Sequence, residues 1–251
     1  MKTLITICTR ANSIRLPGKH MMKLHGKPLV WWTLNQALDW GQGTVLLSTN
    51  DGKVFNYVHE EFGDRVIKIH QRRSPQFTPD NTPKIDVIRC ALKDYSNRMG
   101  VYPEVVVDLD VTNPLRKTGW VEEAYQLFLD KRPPVLFSVT PARRNPGFNQ
   151  VFFDEYFGMR CPCAHWRIGI SPEVYDMNAS IYIYSTKWLL NAEWDHPVCP
   201  ESIMYEMPEW TRTDVDTLLD FETVSDRMGR YLLETRGWIR GVGIPGNYRR
   251  A

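Results

Sequence analysis

Leu4-Ile5-Thr6-Ile7-Cys8 runs directly into Thr9-Arg10-Ala11-Asn12-Ser13-Ile14-Arg15-Leu16-Pro17-Gly18-Lys19-His20. A short apolar run followed by a basic, small-residue loop reads as a buried strand emptying into an anion cradle. Backbone N–H groups and cationic side chains that converge there offset the cost of desolvating a triphosphate. Gly18 lets the backbone approach such a ligand closely. The loop contains neither GxxxxGK[ST] nor GxGxxG, so it is not a Walker or dinucleotide-binding loop. A second block, Met22-Lys23-Leu24-His25-Gly26-Lys27-Pro28-Leu29-Val30, follows and opens a helix-like segment.

Outward from this stretch, strand-like and helix-like segments alternate. Strands are expected at 4–8, 43–49, 65–70, 104–109 and 134–139. Helices are expected at 29–40, 54–62, 84–95, 118–130 and 223–233. The run Glu104–Leu109 is nearly continuous in apolar residues, as in a strand buried on both faces. The alternation predicts an α/β fold with a mostly parallel sheet and helices on both faces, in one domain over 1–251. In such sheets ligands bind beyond the carboxyl ends of the strands.

Composition narrows the function. The 251 residues suffice for one α/β core, and 31 basic against 29 acidic residues give a net charge of +2. That balance argues against a dedicated nucleic-acid binder. No apolar run approaches the ~20 residues needed to span a bilayer, and the first residues do not read as a signal peptide. Five cysteines, Cys8, Cys90, Cys161, Cys163 and Cys199, are an odd and scattered set. They suggest free thiols in a cytoplasmic protein. Cys161-x-Cys163-x-His165 lacks zinc-site spacing and a second half.

Asp214 and Asp216 stand at i and i+2 on an extended segment, which points both carboxylates to one face. Two hard-oxygen groups on one side suit Mg²⁺. Asp108 lies inside an apolar strand, where an unpaired charge is expensive. It reads either as a functional carboxylate or as the buried partner of a nearby Arg or Lys.

Four blocks together resemble the sugar-activating nucleotidyltransferases, and above all the acylneuraminate cytidylyltransferase family, the CMP-sialic acid synthetases and their relatives. The first is Arg10-x8-Lys19 with Leu16-Pro17-Gly18, followed by Gly26-Lys27-Pro28-Leu29. Leu109-Asp110-Val111-Thr112-Asn113-Pro114-Leu115-Arg116 resembles the family's LQPTSPLR. Asn178-Ala179-Ser180-Ile181-Tyr182 resembles NGAIY, and Thr213-Asp214-Val215-Asp216-Thr217-Leu218-Leu219-Asp220 resembles SIDIDTELD. The likeness runs from about Leu4 to Phe221.

The resemblance implies transfer of CMP from CTP to a nonulosonic or ulosonic acid, with release of pyrophosphate and with Mg²⁺ as cofactor. Arg10, Ser13 and Lys19 would hold the nucleotide, and Asp214 and Asp216 the metal. Asn178 and Tyr182 match residues lining the sugar pocket. Where the family commonly has Gln, Asp110 stands, either as an added metal ligand or as a contact to a ribose or sugar hydroxyl. The family's Gly after the Asn is Ala179, and an Arg two residues before it is Asp176. Arg167 then reads as the acceptor's carboxylate clamp or as a surface ion pair. Residues 141–177 are dense in aromatics, and by resemblance form an arm for homodimerisation beside the sugar pocket. Because of Asp110 and Asp176, an alternative acceptor is a phosphonate or a sugar phosphate. A non-catalytic nucleotide-binding relative would need a broken aspartate pair, and the pair is intact.

Overall fold

The computed structural model of the chain describes residues 2–11, 13–70, 82–167, 171–191, 193 and 196–234. In chain order these form β1 (Thr3–Thr9), the short pair β2 (Lys23–Leu24) and β3 (Lys27–Pro28), α1 (Leu29–Trp40), β4 (Thr44–Thr49), α2 (Gly52–Phe62), β5 (Ile67–His70), α3 (Lys84–Met99) and β6 (Val105–Leu109). Then come α4 (Thr118–Lys131), β7 (Val135–Pro141), β8 (Phe152–Asp154), β9 (Gly158–Arg160), β10 (Tyr175–Ser185), α5 (Thr186–Asn191), β11 (Ile203–Glu206) and α6 (Leu218–Glu234).

The main sheet has the strand order β11-β7-β10-β6-β1-β4-β5. Only β10 runs antiparallel, against both β6 and β7. The others pair in parallel, as in Ile5 opposite Val45 on one side and Val107 on the other. Alternate residues of the central strands feed opposite faces. Ile5, Ile7, Leu47 and Val107 pack with α1, α2, α4 and α6. Leu4, Leu46 and Val106 pack with α3 and α5 on the other face. Burial on both faces explains why these strands read as near-continuous apolar runs.

The expected elements sit where the pattern put them, with local corrections at their ends. Arg65 belongs to a 3-10 turn, Gly63–Arg65, so β5 begins later than expected. α3 continues past Tyr95 to Met99 and stops where Gly100 adopts φ 69°. α6 begins at Leu218 rather than Thr223 because Thr217 and Asp220 form a reciprocal capping box. The Thr217 N–H donates to Asp220 Oδ2 at 2.8 Å, and the Asp220 N–H donates to Thr217 Oγ1 at 3.2 Å. The spacing T-x-x-D satisfies two orphan donors at once.

Within 141–177 the chain builds the β8–β9 hairpin, turned by Asp154, whose Oδ1 accepts from the N–H groups of Tyr156 and Phe157. Phe153, Tyr156 and Phe157 are 71%, 89% and 73% exposed, so neither face of the hairpin carries a buried periodicity. β10 follows and is irregular between Met177 and Tyr182. There Ala179 adopts φ 48°, a left-handed conformation uncommon for a residue with a Cβ.

Candidate active site

At the carboxyl ends of β1 and β6 lies a cavity of about 350 Å³. The loop after β1 contributes Arg10, Arg15, Lys19 and His20. The start of α3 contributes Lys84, the end of β6 contributes Asp110 and Thr112, and the segment before α6 contributes Asp214 and Asp216. The loop reaches the last segment through Lys19. Its Nζ donates to the Val215 carbonyl at 2.6 Å and to Asp216 Oδ1 at 3.0 Å. Arg15 meets the other oxygen, Asp216 Oδ2, at 2.8 Å. The Val215 N–H donates to the Thr112 carbonyl at 2.9 Å, which ties the segment to the end of β6.

Behind this wall stands a second charge cluster. Lys84 Nζ lies 2.7 Å from Asp108 Oδ2 and 2.5 Å from Asp110 Oδ2. Asp108 is fully buried, and its Oδ1 accepts from Thr6 Oγ1 at 2.8 Å. Asp110 Oδ1 accepts from the Thr112 N–H at 3.2 Å and from Thr112 Oγ1 at 2.9 Å. The pairing reading of Asp108 is therefore the observed one. Arg116, also fully buried, donates to the carbonyls of Asp110, Asn113 and Ser180 at 3.0, 2.8 and 3.1 Å, which closes the turn after β6.

The protonation states follow from these neighbours. Burial opposes charge on Asp110, but the Lys84 charge and the hydrogen bonds from Lys84 and Thr112 outweigh it and hold the carboxyl at about 2. At Asp214 the opposing help, from Thr112 and the Lys19 charge, is outweighed. Burial and then the charge of Asp110 push it up to about 6. Its Oδ1 is buried and accepts no hydrogen bond. Burial, then the Lys19 charge, lowers His20 to about 4, so its imidazole is neutral at pH 7. Burial raises the Cys8 thiol well above its usual range, with Asp108 adding to the effect. Cys8 is thus a neutral wall group rather than a nucleophile.

Arg10, Lys19, Asp110, Asp214 and Asp216, all expected at the site, are brought together on one cavity wall. Tyr182 lies beneath it, with Lys84 Nζ 5.1 Å from its ring centre. Ser13 is buried in the loop and is not part of the cavity wall. Asn178 does not face the cavity. It is buried, its Oδ1 accepts from Ser138 Oγ at 2.6 Å, and its Nδ2 donates to Thr211 Oγ1 at 3.2 Å. Arg167 lies in the arm, where its Nε donates to the Gly147 carbonyl at 2.7 Å. Lys84 and His20 were not expected at the site. The signal for Lys84 was its place as the first residue of a helix, where the helix dipole disfavours a cation unless carboxylates hold it.

A metal fits this wall in part. Among the described residues no cluster of three or more His, Cys, Asp or Glu is placed to hold an ion. Asp214 with its partnerless buried oxygen, and Asp216 beside it, provide two hard-oxygen donors. That suits Mg²⁺, which takes few protein ligands and completes its shell with water and phosphate oxygens.

A wider groove of about 600 Å³, lined in part by Arg132, Pro133 and Trp188, opens at the other end of the sheet, where β7 begins. It gathers none of the charged groups described above.

The family model described as Cytidylyltransferase matches residues 4–135, which include β1, its loop and β6. The chain belongs to the cytidylyltransferase family. This cytidylyltransferase is 30% identical over 222 residues to the CMP-N,N'-diacetyllegionaminic acid synthase of Campylobacter jejuni, covering 88% of this chain and 92% of that protein. It is 28% identical over 222 residues, with the same coverage, to the post-translational flagellin modification protein B of Campylobacter coli. To the N-acylneuraminate cytidylyltransferase of Streptococcus agalactiae it is 26% identical, across 88% of this chain and 52% of the longer protein. Among solved structures, the CMP:2-keto-3-deoxy-manno-octonic acid synthetase complexed with CTP superposes with a TM-score of 0.66 at 19% identity, over 92% of this chain and all of that one. That likeness is one of fold.

Proposed function

We propose that this cytidylyltransferase moves CMP from CTP to the anomeric hydroxyl of a nonulosonic acid. The hydroxyl oxygen bonds to the α-phosphorus, the bond to the β-phosphate oxygen breaks, and pyrophosphate and the hydroxyl proton leave. The observation that carries this reading is the single wall on which Arg10, Arg15 and Lys19 meet Asp214 and Asp216. A basic loop and a carboxylate pair at one strand end match a triphosphate and its counter-ion. The relatives of similar length, named for legionaminic and pseudaminic acids, support the acceptor class.

In this reading Arg10 and Lys19 grip phosphate oxygens. Lys19 is held in place by the Val215 carbonyl, so it is positioned before the nucleotide arrives. Asp214 and Asp216 would hold Mg²⁺, which when bound neutralises phosphate charge and eases loss of the hydroxyl proton. Asp110 keeps its charge through Lys84 and offers an acceptor at the boundary between nucleotide and sugar.

The proposal includes a cytoplasmic homodimer. Five free thiols support the compartment, and among the described residues no helix is long and apolar enough to cross a membrane. The exposed Phe153, Tyr156 and Phe157 support the dimer, since a patch of that kind favours a partner surface. Arg167 lies on this same arm and is not among the residues that line the cavity.

The test is pyrophosphate release from each of CTP, UTP, ATP and GTP with a panel of acids, with Mg²⁺ or with excess chelator. Release confined to CTP, a nonulosonic acid and Mg²⁺ is expected. Turnover with a phosphonate or a sugar phosphate and none with any nonulosonic acid would overturn the acceptor.

A further inference from the structure

The Lys84 ammonium has three N–H donors. Its Nζ lies within ion-pair distance of two carboxylates, Asp108 Oδ2 at 2.7 Å and Asp110 Oδ2 at 2.5 Å, and donates to the second. The side chain is nevertheless 35% exposed and forms part of the cavity wall, beside Asp110, whose side chain is 18% exposed. Among the described residues at least one donor therefore remains. Asp110 has a complementary surplus. A carboxylate offers about four lone-pair sites, and here Thr112 takes two on Oδ1 while Lys84 takes one on Oδ2.

Charge decides what such a site accepts. Asp108 on β6, Asp110 at its end and the ring of Tyr182 stand next to Lys84, with Asp214 in the segment before α6 and Arg116 in the turn behind, while Arg10, Arg15, Lys19 and Asp216 line the rest of the cavity. At the Lys84 corner itself two carboxylates offset one ammonium, so that corner has no surplus positive charge. The Lys84 charge is already matched by two carboxylates, so what it has left to offer is a hydrogen and not a field. An incoming anion would meet Asp110 at close range and be repelled. A hydroxyl group fits, because its oxygen can accept from Lys84 Nζ while its hydrogen donates to Asp110 Oδ2.

We propose that Lys84 is a specificity-determining residue of this cytidylyltransferase, and that Lys84 and Asp110 together read a sugar hydroxyl rather than the acceptor's carboxylate. The hydroxyl belongs either to the ribose of the nucleotide or to the acceptor sugar. The inference rests on the assignment of this cavity to the transfer reaction. Lys84 is held by two ion pairs, so its donor is preorganised. A site built to hydrogen-bond a hydroxyl rejects the analogue lacking it, because its own buried polar groups are then left unpaired.

Two arms of the test locate the hydroxyl. Titration calorimetry without acceptor compares CTP with 2′-deoxy-CTP and 3′-deoxy-CTP. Initial rates compare N-acetylneuraminic acid and N,N'-diacetyllegionaminic acid with their 4-deoxy analogues. In one arm the wild type should discriminate at least tenfold. Lys84→Met should remove that discrimination by weakening the hydroxylated ligand at least tenfold while leaving the deoxy analogue within about twofold. Lys84→Arg keeps both ion pairs and so guards against loss of folding. It should also lose the discrimination, because its planar fork does not return a donor to the same point. Equal affinity of the wild type for every deoxy analogue would overturn the proposal. So would equal weakening of hydroxylated and deoxy ligands in both variants, which is what a purely structural Lys84 produces. The nucleotide arm is read without turnover, so an incorrect acceptor class leaves it intact.

Discussion

Lys19 Nζ stands 3.0 Å from Asp216 Oδ1, a contact that joins the loop after β1 to the segment before α6 across 197 positions. Lys19 is 7% exposed, and the Val215 carbonyl at 2.6 Å fixes its other side. In the proposed reading, the cation and the carboxylate that would serve opposite signs of a nucleotide–metal complex are joined directly to each other.

Lys19→Ala should weaken CTP binding by roughly tenfold to a hundredfold, the worth of one charge-assisted hydrogen bond of about 1.5–3 kcal/mol. The Michaelis constant of the acceptor should move by less than about twofold. Asp216 keeps Arg15 as a partner in this variant, but that pair is largely in solvent, with Arg15 66% exposed, and adds little stability. Calorimetric titration with CTP decides the point. An unchanged affinity would assign Lys19 to holding Asp216 alone.

What the chain disclosed in advance depended on how local its cause was. β1 and β6 were legible because burial on both faces leaves near-continuous apolar runs. The start of α6 was written in Thr217-x-x-Asp220, a purely local signal, yet the expected start fell later, at Thr223. Lys84 could not be placed, because its role depends on Asp110, 26 positions away, brought beside it only by the sheet. Asn178 shows the opposite limit. Its motif marks a position that matters, but the irregularity at Ala179 turns the side chain inward to Ser138 and Thr211, away from the cavity. The single change of strand direction at β10 was not visible either, since it is set by pairing across the sheet.

Ala179 is expected to be stabilised by loss of its side chain. At φ 48° a Cβ costs about 1–2 kcal/mol relative to the usual backbone regions. Glycine returns roughly 0.4–1 kcal/mol of that through its freer unfolded chain. Ala179→Gly should therefore raise stability by about 0.5 kcal/mol, and Ala179→Val should lower it. Urea midpoints measure both, with the slope of the transition unchanged. A destabilised glycine variant would mean that the surrounding hydrogen bonds absorb the strain.

The arm carries a prediction about mass. With Phe153 and Phe157 at 71% and 73% exposure, a homodimer is expected to cover the hairpin. Light scattering at micromolar concentration should report twice the chain mass of 29.3 kDa. Replacing both with serine should give the single-chain mass without altering the cooperative melt of the core. A wild-type mass of one chain would remove the arm from any role in assembly.

The last prediction concerns Asp214, whose folded value of about 6 lies above its ordinary 3.8. An acid with a raised value binds its proton more tightly when folded, so stability falls as pH rises through the window between those two values. Above about pH 6 the ionised carboxylate is a standing cost of up to about 3 kcal/mol at ~1.36 kcal/mol per unit. Asp214→Asn should therefore raise the melting temperature of metal-free protein at pH 8 and flatten its dependence between pH 4 and 6. The same substitution should lower turnover at least a hundredfold, because the oxygen offered to the metal is lost. Mg²⁺ competes with the proton for this carboxylate, so it should stabilise the wild type more at pH 8 than at pH 5, and the asparagine variant little at either. Thermal melts across this range, with and without Mg²⁺, read both effects. If wild type and variant share one pH dependence and one response to Mg²⁺, Asp214 neither titrates in this window nor binds the ion.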